Sequence, residues 1–182
     1  MAIAFVVEDG TGLTTATSYV SVAEATDLLS LNPVMSATWV ALDSAEQESY
    51  LIWASRYLDY HVQWEGYKTV ETSGLRWPRS CVTDVDGLYI DTDVIPEAVK
   101  EATAQLAIFL TASDAAQSGG ESSNLPEGVK RVKADVVELE FFDDAASNSR
   151  SGSDLLPVNI RFLIRGLGTI KVGRLRVGNV VR

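Results

Sequence analysis

Cysteine and histidine are almost missing from this chain: Cys81 and His61 are the only ones among 182 residues. A single thiol excludes an internal disulfide and a thiolate metal cluster, and the expected place for Cys81 is as a small packed side chain. A Ser-His-Asp arrangement would have to use His61, and no Gly-x-Ser-x-Gly elbow accompanies it. At the end of an amphipathic helix His61 reads as a half-buried packing residue. No Walker lysine loop and no Gly-x-Gly-x-x-Gly is present, and Gly10-Thr11-Gly12 is too short to stand for either. These absences point to a protein that is not an enzyme and carries no cofactor. No apolar run approaches the roughly 20 residues needed to span a bilayer. Ala2 to Val7 is too short, and lacks the basic flank, for a signal peptide. The expectation is a soluble chain made in the cytoplasm, away from membranes.

Acidic residues stop at Asp154. Beyond it come only Arg161, Arg165, Lys171, Arg174, Arg176 and Arg182, whereas residues 1–154 hold nine basic against 25 acidic residues, a formal balance of −16. Scattered charge would suit a single folded domain better, so this division suggests that the tail meets something outside its own body, either an acidic neighbour or nucleic acid. A hydrophobic content of 46% in 182 residues is enough for one domain with a real core.

Along the chain, Ile3 to Val7 is β-prone and ends in the turn cluster Glu8-Asp9-Gly10-Thr11-Gly12. Ser21 and Glu24 make a capping box before a helix whose Val22, Ala25, Leu28 and Leu29 share a face, and Pro33 stops it. Ser44 and Gln47 read as the box of a second helix, over about Ala45 to Tyr60. There Ile52 and Trp53 widen the apolar face enough to suggest packing on more than one side, against another helix and a neighbouring subunit. Asp86-Gly87 reads as a hairpin turn. A third helix starts near Pro96 and carries the stripe Ile95, Ala98, Val99, Ala102, Leu106, Phe109 and Leu110. Residues 118–123 read as a flexible loop, Val129 to Phe142 as a hairpin around Ala134-Asp135, and Leu155 to Leu167 as a short helix. From Thr169 onward the apolar residues fall at strand spacing, with no core to join. The fold class expected is therefore mainly α: a small helical bundle of about four helices with a short β-hairpin and an extended basic C-terminal arm. Its parts are a body over 1–142, a linker over 143–154, and a short helix with the arm over 155–182.

Chemistry-bearing clusters are few. Asp84, Asp86, Asp91 and Asp93 resemble an oxygen-rich metal site, but with Gly87 at the sixth position of a calcium loop the first ligand would be Val82, so a solvated hairpin is the better reading and no metal is expected. Glu138 and Glu140 share a strand face without other acid–base features. Arg76-Trp77-Pro78-Arg79 places two guanidiniums around an aromatic and a proline. That set can read a phosphate or stacked base, or it can be a structural lock in which Trp77 plugs the core and Arg76 and Arg79 pair with carboxylates. The acidic body favours the lock. The six basic residues from Arg161 to Arg182 can bind phosphates or a protein partner, and the apolar residues alternating with them favour a protein.

The ordered set Glu8-Asp9-Gly10-Thr11-Gly12, Ser18-Tyr19-Val20-Ser21-Val22-Ala23-Glu24-Ala25, Trp39, Tyr57-Leu58-Asp59, Trp64, Gly66, Leu75-Arg76-Trp77-Pro78-Arg79-Ser80 and Ile95 to Ala102 resembles the phage proteins described as DnaT-like single-stranded DNA-binding proteins. The resemblance covers about residues 3–117. Ser73-Gly74 stands where a glutamine often precedes the Leu-x-Trp-Pro-Arg run, and the long tail is not covered. That family is similar in turn to the head–tail adaptors of long-tailed phages, small helical proteins that form a ring, commonly of twelve, beneath the portal. The resemblance thus implies two functions. One is a structural neck protein of the virion: a homo-oligomeric ring that docks under the portal and receives a downstream neck or tail protein. The tail's role is not inherited from the resemblance; its charge and strand spacing suggest that it reaches to the portal, and the acidic wall of such a ring would let genomic DNA pass without specific binding. The other is a single-stranded DNA-binding protein, which would need a basic groove with aromatic platforms. The net charge of the body favours the first.

Overall fold

A computed structural model of the chain describes residues 3–112, 131–134, 137–140 and 156–170. The expected loop at 118–123 and linker at 143–154 lie outside them, as do Lys171, Arg174, Arg176 and Arg182. Among the described residues the order is α1 (Val22–Ser30), α2 (Pro33–Val40), α3 (Ser44–His61), β1 (Val62–Trp64), β2 (Tyr67–Lys68), β3 (Arg79–Ser80), α4 (Glu97–Ala112), β4 (Arg131–Ala134), β5 (Val137–Glu140), α5 (Val158–Leu163) and β6 (Gly168–Ile170). The strands form three antiparallel pairs, β1 with β6, β2 with β3, and β4 with β5. The fold is mainly helical with little β structure, as expected, but with five helices among the described residues. No described helix is long and apolar enough to cross a membrane.

The additional helix is α2. Pro33 does end the run of α1, yet it also occupies the first turn of α2, where its missing N–H costs nothing, and the Asn32 side chain caps the backbone N–H groups of Val34 and Met35. Trp39 fixes this short helix: its buried ring sends Nε1 to Thr26 Oγ1 on α1 at 2.9 Å, and its carbonyl accepts Gln47 Nε2 of α3 at 2.9 Å. The capping box of α1 forms between Ser21 and Glu24, while that of α3 is Asp43 with Glu46, one residue before the expected pair.

α3 packs chiefly on α4, and α4 also meets α1, α2 and α5. Ile95, Val99, Ala102, Leu106 and Leu110 of the α4 stripe are buried, whereas Phe109 stays 43% exposed. The two strands of the hairpin expected between Val129 and Phe142 are present as the antiparallel pair β4 and β5, with Arg131 opposite Glu140 and Lys133 opposite Glu138, while residues 135–136 between them lie outside the described residues. The Asp86-Gly87 turn also forms: Asp84 Oδ1 accepts the N–H groups of Asp86 and Leu88, so this aspartate is occupied by its own turn. Among the described residues no group of three or more potential metal ligands gathers.

Two expectations change. Cys81 is exposed with φ of 59°, in the left-handed region, so it is not a packed thiol. The segment from Leu155 does not stand apart from the body: Leu156, Ile160, Ile164 and Leu167 are buried in the same cluster as Leu58 and Leu106, and β6 pairs with β1. Their four-, four- and three-residue steps are a helical stripe with its turn, which needs an apolar surface to cover. What remains of the arm begins after Ile170.

Loops are held by buried polar groups. Glu8, 3% exposed, accepts the N–H groups of Gly10, Gly12 and Leu13 with its two carboxylate oxygens. Gly10 itself has φ of +99°, and a Cβ there would stand 1.8 Å from the Asp93 carbonyl oxygen. Asp59 does the same at longer range. Its Oδ1 accepts Tyr19 Oη at 2.6 Å and Trp64 Nε1 at 2.9 Å, and its Oδ2 accepts the Arg76 N–H at 3.0 Å. Two sequence-distant segments, at Tyr19 and Arg76, and the strand that follows α3 therefore end on one carboxylate of α3. Burial raises its pKa against the pull of those hydrogen bonds, and burial likewise raises the Tyr19 phenol well above its ordinary value.

Asp59→Asn keeps the shape but turns one acceptor into a donor, so one of the three donors loses its bond to the carboxylate. The expected loss is about 2 kcal/mol in urea unfolding, and an unchanged midpoint would show that the three contacts carry no net stability. Glu24, bonded to Lys100 Nζ at 2.7 Å, has its pKa lowered to about 2 from 4.5. Its contribution is present above pH 4.5 and fades as pH falls toward 2. Urea midpoints measured over that window should fall less steeply in Glu24→Gln than in the parent; identical slopes would contradict the pairing.

Candidate functional site

Within Arg76-Trp77-Pro78-Arg79 the two arginines part company. Arg79 is buried and donates to backbone carbonyls: Nε to Glu65, Nη1 to Arg76 at 3.0 Å, and Nη2 to Gly66 at 2.7 Å and Trp64 at 3.4 Å. Burial lowers its pKa. Trp77 is fully buried, edge-on to Trp64 with ring centroids 5.8 Å apart, and the Trp77-Pro78 peptide is cis. The geometry of Trp77, Pro78 and Arg79 is that of a lock, but one closed on carbonyls rather than on the carboxylates expected. Arg76 is exposed and held through its backbone: its N–H meets Asp59 Oδ2 and Tyr19 Oη, each at 3.0 Å, and its carbonyl accepts Arg79 Nη1.

Arg76 stands at the rim of a cleft of about 470 Å³ lined by Ala16, Arg56, Asp59, Tyr60, Lys68, Gly74, Leu75 and Arg76. The loop that carries Arg76 approaches residues 14–16 so closely that a Cβ on Gly74 would lie 2.6 Å from the Ala16 carbonyl oxygen. Lys68 reaches in from β2, its Nζ donating to the Ser73 carbonyl at 2.8 Å. Arg56 and Tyr60 come from α3, one turn apart on one face.

The same two residues also line a groove of about 740 Å³ along α3, with Ile3, Ser49, Ile52, Trp53, Tyr57 and His61. Here Trp53 is 45% exposed and Tyr60 75%. His61 lies against both tyrosines, with centroids 4.2 Å from Tyr57 and 5.0 Å from Tyr60. It is a ring in an aromatic row, as a packing residue would be.

Residues 3–112 contain five basic and sixteen acidic residues. Of the five, Lys100 is paired with Glu24 and the buried Arg79 is spent on carbonyls. Arg56, Lys68 and Arg76 all line the one cleft, beside an exposed tyrosine, although Lys68 Nζ also donates to the Ser73 and Glu71 carbonyls. Cations at its edge and aromatic rings along the adjoining groove are what a single strand of nucleic acid requires: phosphates meet the cations and bases stack on the rings.

Sequence reasoning singled out Arg76 but passed over Arg56, Lys68 and Tyr60. The helical spacing of Trp53, Arg56, Tyr57 and Tyr60 was a usable signal, whereas Lys68 joins them only through the tertiary fold. Arg161 and Arg165 lie on and just after α5; Arg165 is exposed, and Arg161 is partly buried with its Nε lacking a hydrogen-bond partner.

No curated protein and no solved structure matches the chain significantly, so these comparisons lend no support to a likeness with head–tail adaptors. A family model does match, described as "Putative DnaT-like ssDNA binding protein", over residues 3–177. The match runs well beyond residue 117 and takes in α5, β6 and part of the basic tail, which the sequence resemblance had left out. Covering nearly the whole length, it shows that the chain belongs to the DnaT-like ssDNA-binding protein family.

Proposed function

We propose that this is a non-enzymatic protein that binds single-stranded nucleic acid, DNA as its family description has it, along α3. Phosphates lie at Arg56, Lys68 and Arg76, while bases stack on Tyr60 and along Trp53 and Tyr57. The observation that carries this reading is the convergence of Arg56, Lys68 and Arg76 in one cleft against that aromatic row, in a region otherwise dominated by acids. Net charge argued the other way. At physiological salt, however, charges further than about 8 Å are largely screened, so the local set decides contact affinity while the acidic remainder discourages binding elsewhere.

A second reading keeps the phage neck adaptor. It draws on the half-exposed apolar face of Ile52, Trp53 and Tyr57, which nothing in the described fold covers fully. In that reading the face is a subunit contact in a ring of about twelve, docked on a portal protein and receiving a downstream neck or tail protein. Arg161, Arg165 and the basic residues beyond them would then meet the portal, and genomic DNA would pass without specific binding. A large ring in light scattering of the purified chain, without oligonucleotide binding, is the outcome that favours it.

Fluorescence anisotropy with a labelled oligo-deoxythymidine separates the two. The nucleic-acid reading expects binding that weakens with salt by about 0.7 logarithmic unit per contact and per decade. It also expects affinity about tenfold lower in Arg56→Ala/Arg76→Ala at unchanged thermal stability. No binding at low salt, or full binding by the double variant, contradicts it.

A further inference from the structure

The groove along α3 and the end of β6 meet. In the antiparallel pair, Gly168 faces Trp64 and Ile170 faces Val62, so the chain leaves β6 running toward His61, the residue before Val62 and one end of the groove. From His61 to Ser49 the groove follows twelve residues of helix, about 18 Å at 1.5 Å per residue. Twelve residues, 171–182, remain after Ile170. Extended, they reach up to about 40 Å, twice the length of the groove.

Their chemistry suits it. Val172, Leu175, Val177, Val180 and Val181 alternate loosely with Lys171, Arg174, Arg176 and Arg182. The groove offers Ile52, Trp53 and Tyr57 along its length, and beyond its far end α3 continues back to Glu48 and Glu46, one and three residues before Ser49, Glu46 also accepting the Asp43 N–H in the helix cap. An arm running from His61 toward Ser49 sets its apolar residues on the apolar floor and brings Arg174 and Arg176 toward those carboxylates. Because the arm is tethered at the groove's mouth, its own chain presents it at a millimolar effective concentration, about what a short flexible linker gives.

We propose that residues 171–182 dock in the α3 groove of their own chain and must leave it before a base can stack there. The docking stands on the geometry of β6 and the groove; the competition rests on the proposed nucleic-acid reading.

Trp53 reports the docking without any ligand, since Trp39, Trp64 and Trp77 are buried and Trp53 is the tryptophan exposed to a quencher. Acrylamide quenching is compared between the full chain and full-length Leu175→Ser/Val177→Ser, with circular dichroism showing the same fold in both. The expected result is a quenching constant about twofold higher in the variant, the same at low and high protein concentration. Equal constants in the two chains overturn the docking, and protection that appears only at high concentration assigns the groove to a second copy's arm and overturns it equally. With oligo-deoxythymidine the variant should bind about threefold tighter, because the competent fraction rises. Weaker binding by the variant overturns the competition. A Trp53 difference without oligonucleotide binding by either chain upholds the docking and removes the nucleic-acid reading instead.

Discussion

The carboxylate of Asp59 ties together parts of the chain that lie far apart in sequence. It sits near the end of α3 and accepts Tyr19 Oη, Trp64 Nε1 and the Arg76 N–H. Through Tyr19 it reaches the loop before α1, through Trp64 the strand that pairs with β6, and through Arg76 the loop that the buried Arg79 guanidinium closes on carbonyls. Three charge-assisted hydrogen bonds offset part of the cost of bringing the carboxylate out of water, and burial still leaves its pKa raised. The cleft follows directly, because the bond that holds the Arg76 backbone leaves its side chain outside, across from Arg56 and Tyr60 on the same helix.

This arrangement changes the meaning of the charge pattern. Counted over the body, acids outnumber bases and repulsion of nucleic acid is the natural conclusion. Distributed in space, Lys100 and Arg79 are held away from the cleft by Glu24 and by backbone carbonyls, while Arg56, Lys68 and Arg76 share it. A net charge is a statement about the far field, whereas binding of a strand is decided within a Debye length. Arg56, Lys68 and Arg76 come from α3, β2 and the loop before β3, so no linear stretch displays them as a basic cluster.

Much of the framework was legible. The α1 cap, the length of α3, the stripe of α4 and the Asp86-Gly87 turn follow local rules, in which a few neighbouring residues satisfy their own backbone groups. α2 was hidden because Pro33 stops one helix and starts the next, and because the helix has little amphipathic pattern, being anchored chiefly by Trp39 with Met35 half-buried beside the core. The attachment of α5 and β6 was hidden because their partners, α4 and β1, lie more than forty residues away. Cys81 was misread as packed since thiols usually are, and only the positive φ of its turn places it outside. For the site, the aromatic row and Arg56 were available at helical spacing, but Lys68 and the occupation of Arg79 by carbonyls depended on the tertiary fold.

The central claim is that a strand lies across the cleft and groove of α3. Photo-cross-linking of a halogenated-uracil oligonucleotide to the full chain, followed by peptide mapping, tests it at the residue level. The account predicts adducts within residues 49–61, at Trp53, Tyr57 or Tyr60. Adducts confined to peptides beyond Leu156, or none at saturating oligonucleotide, would contradict it.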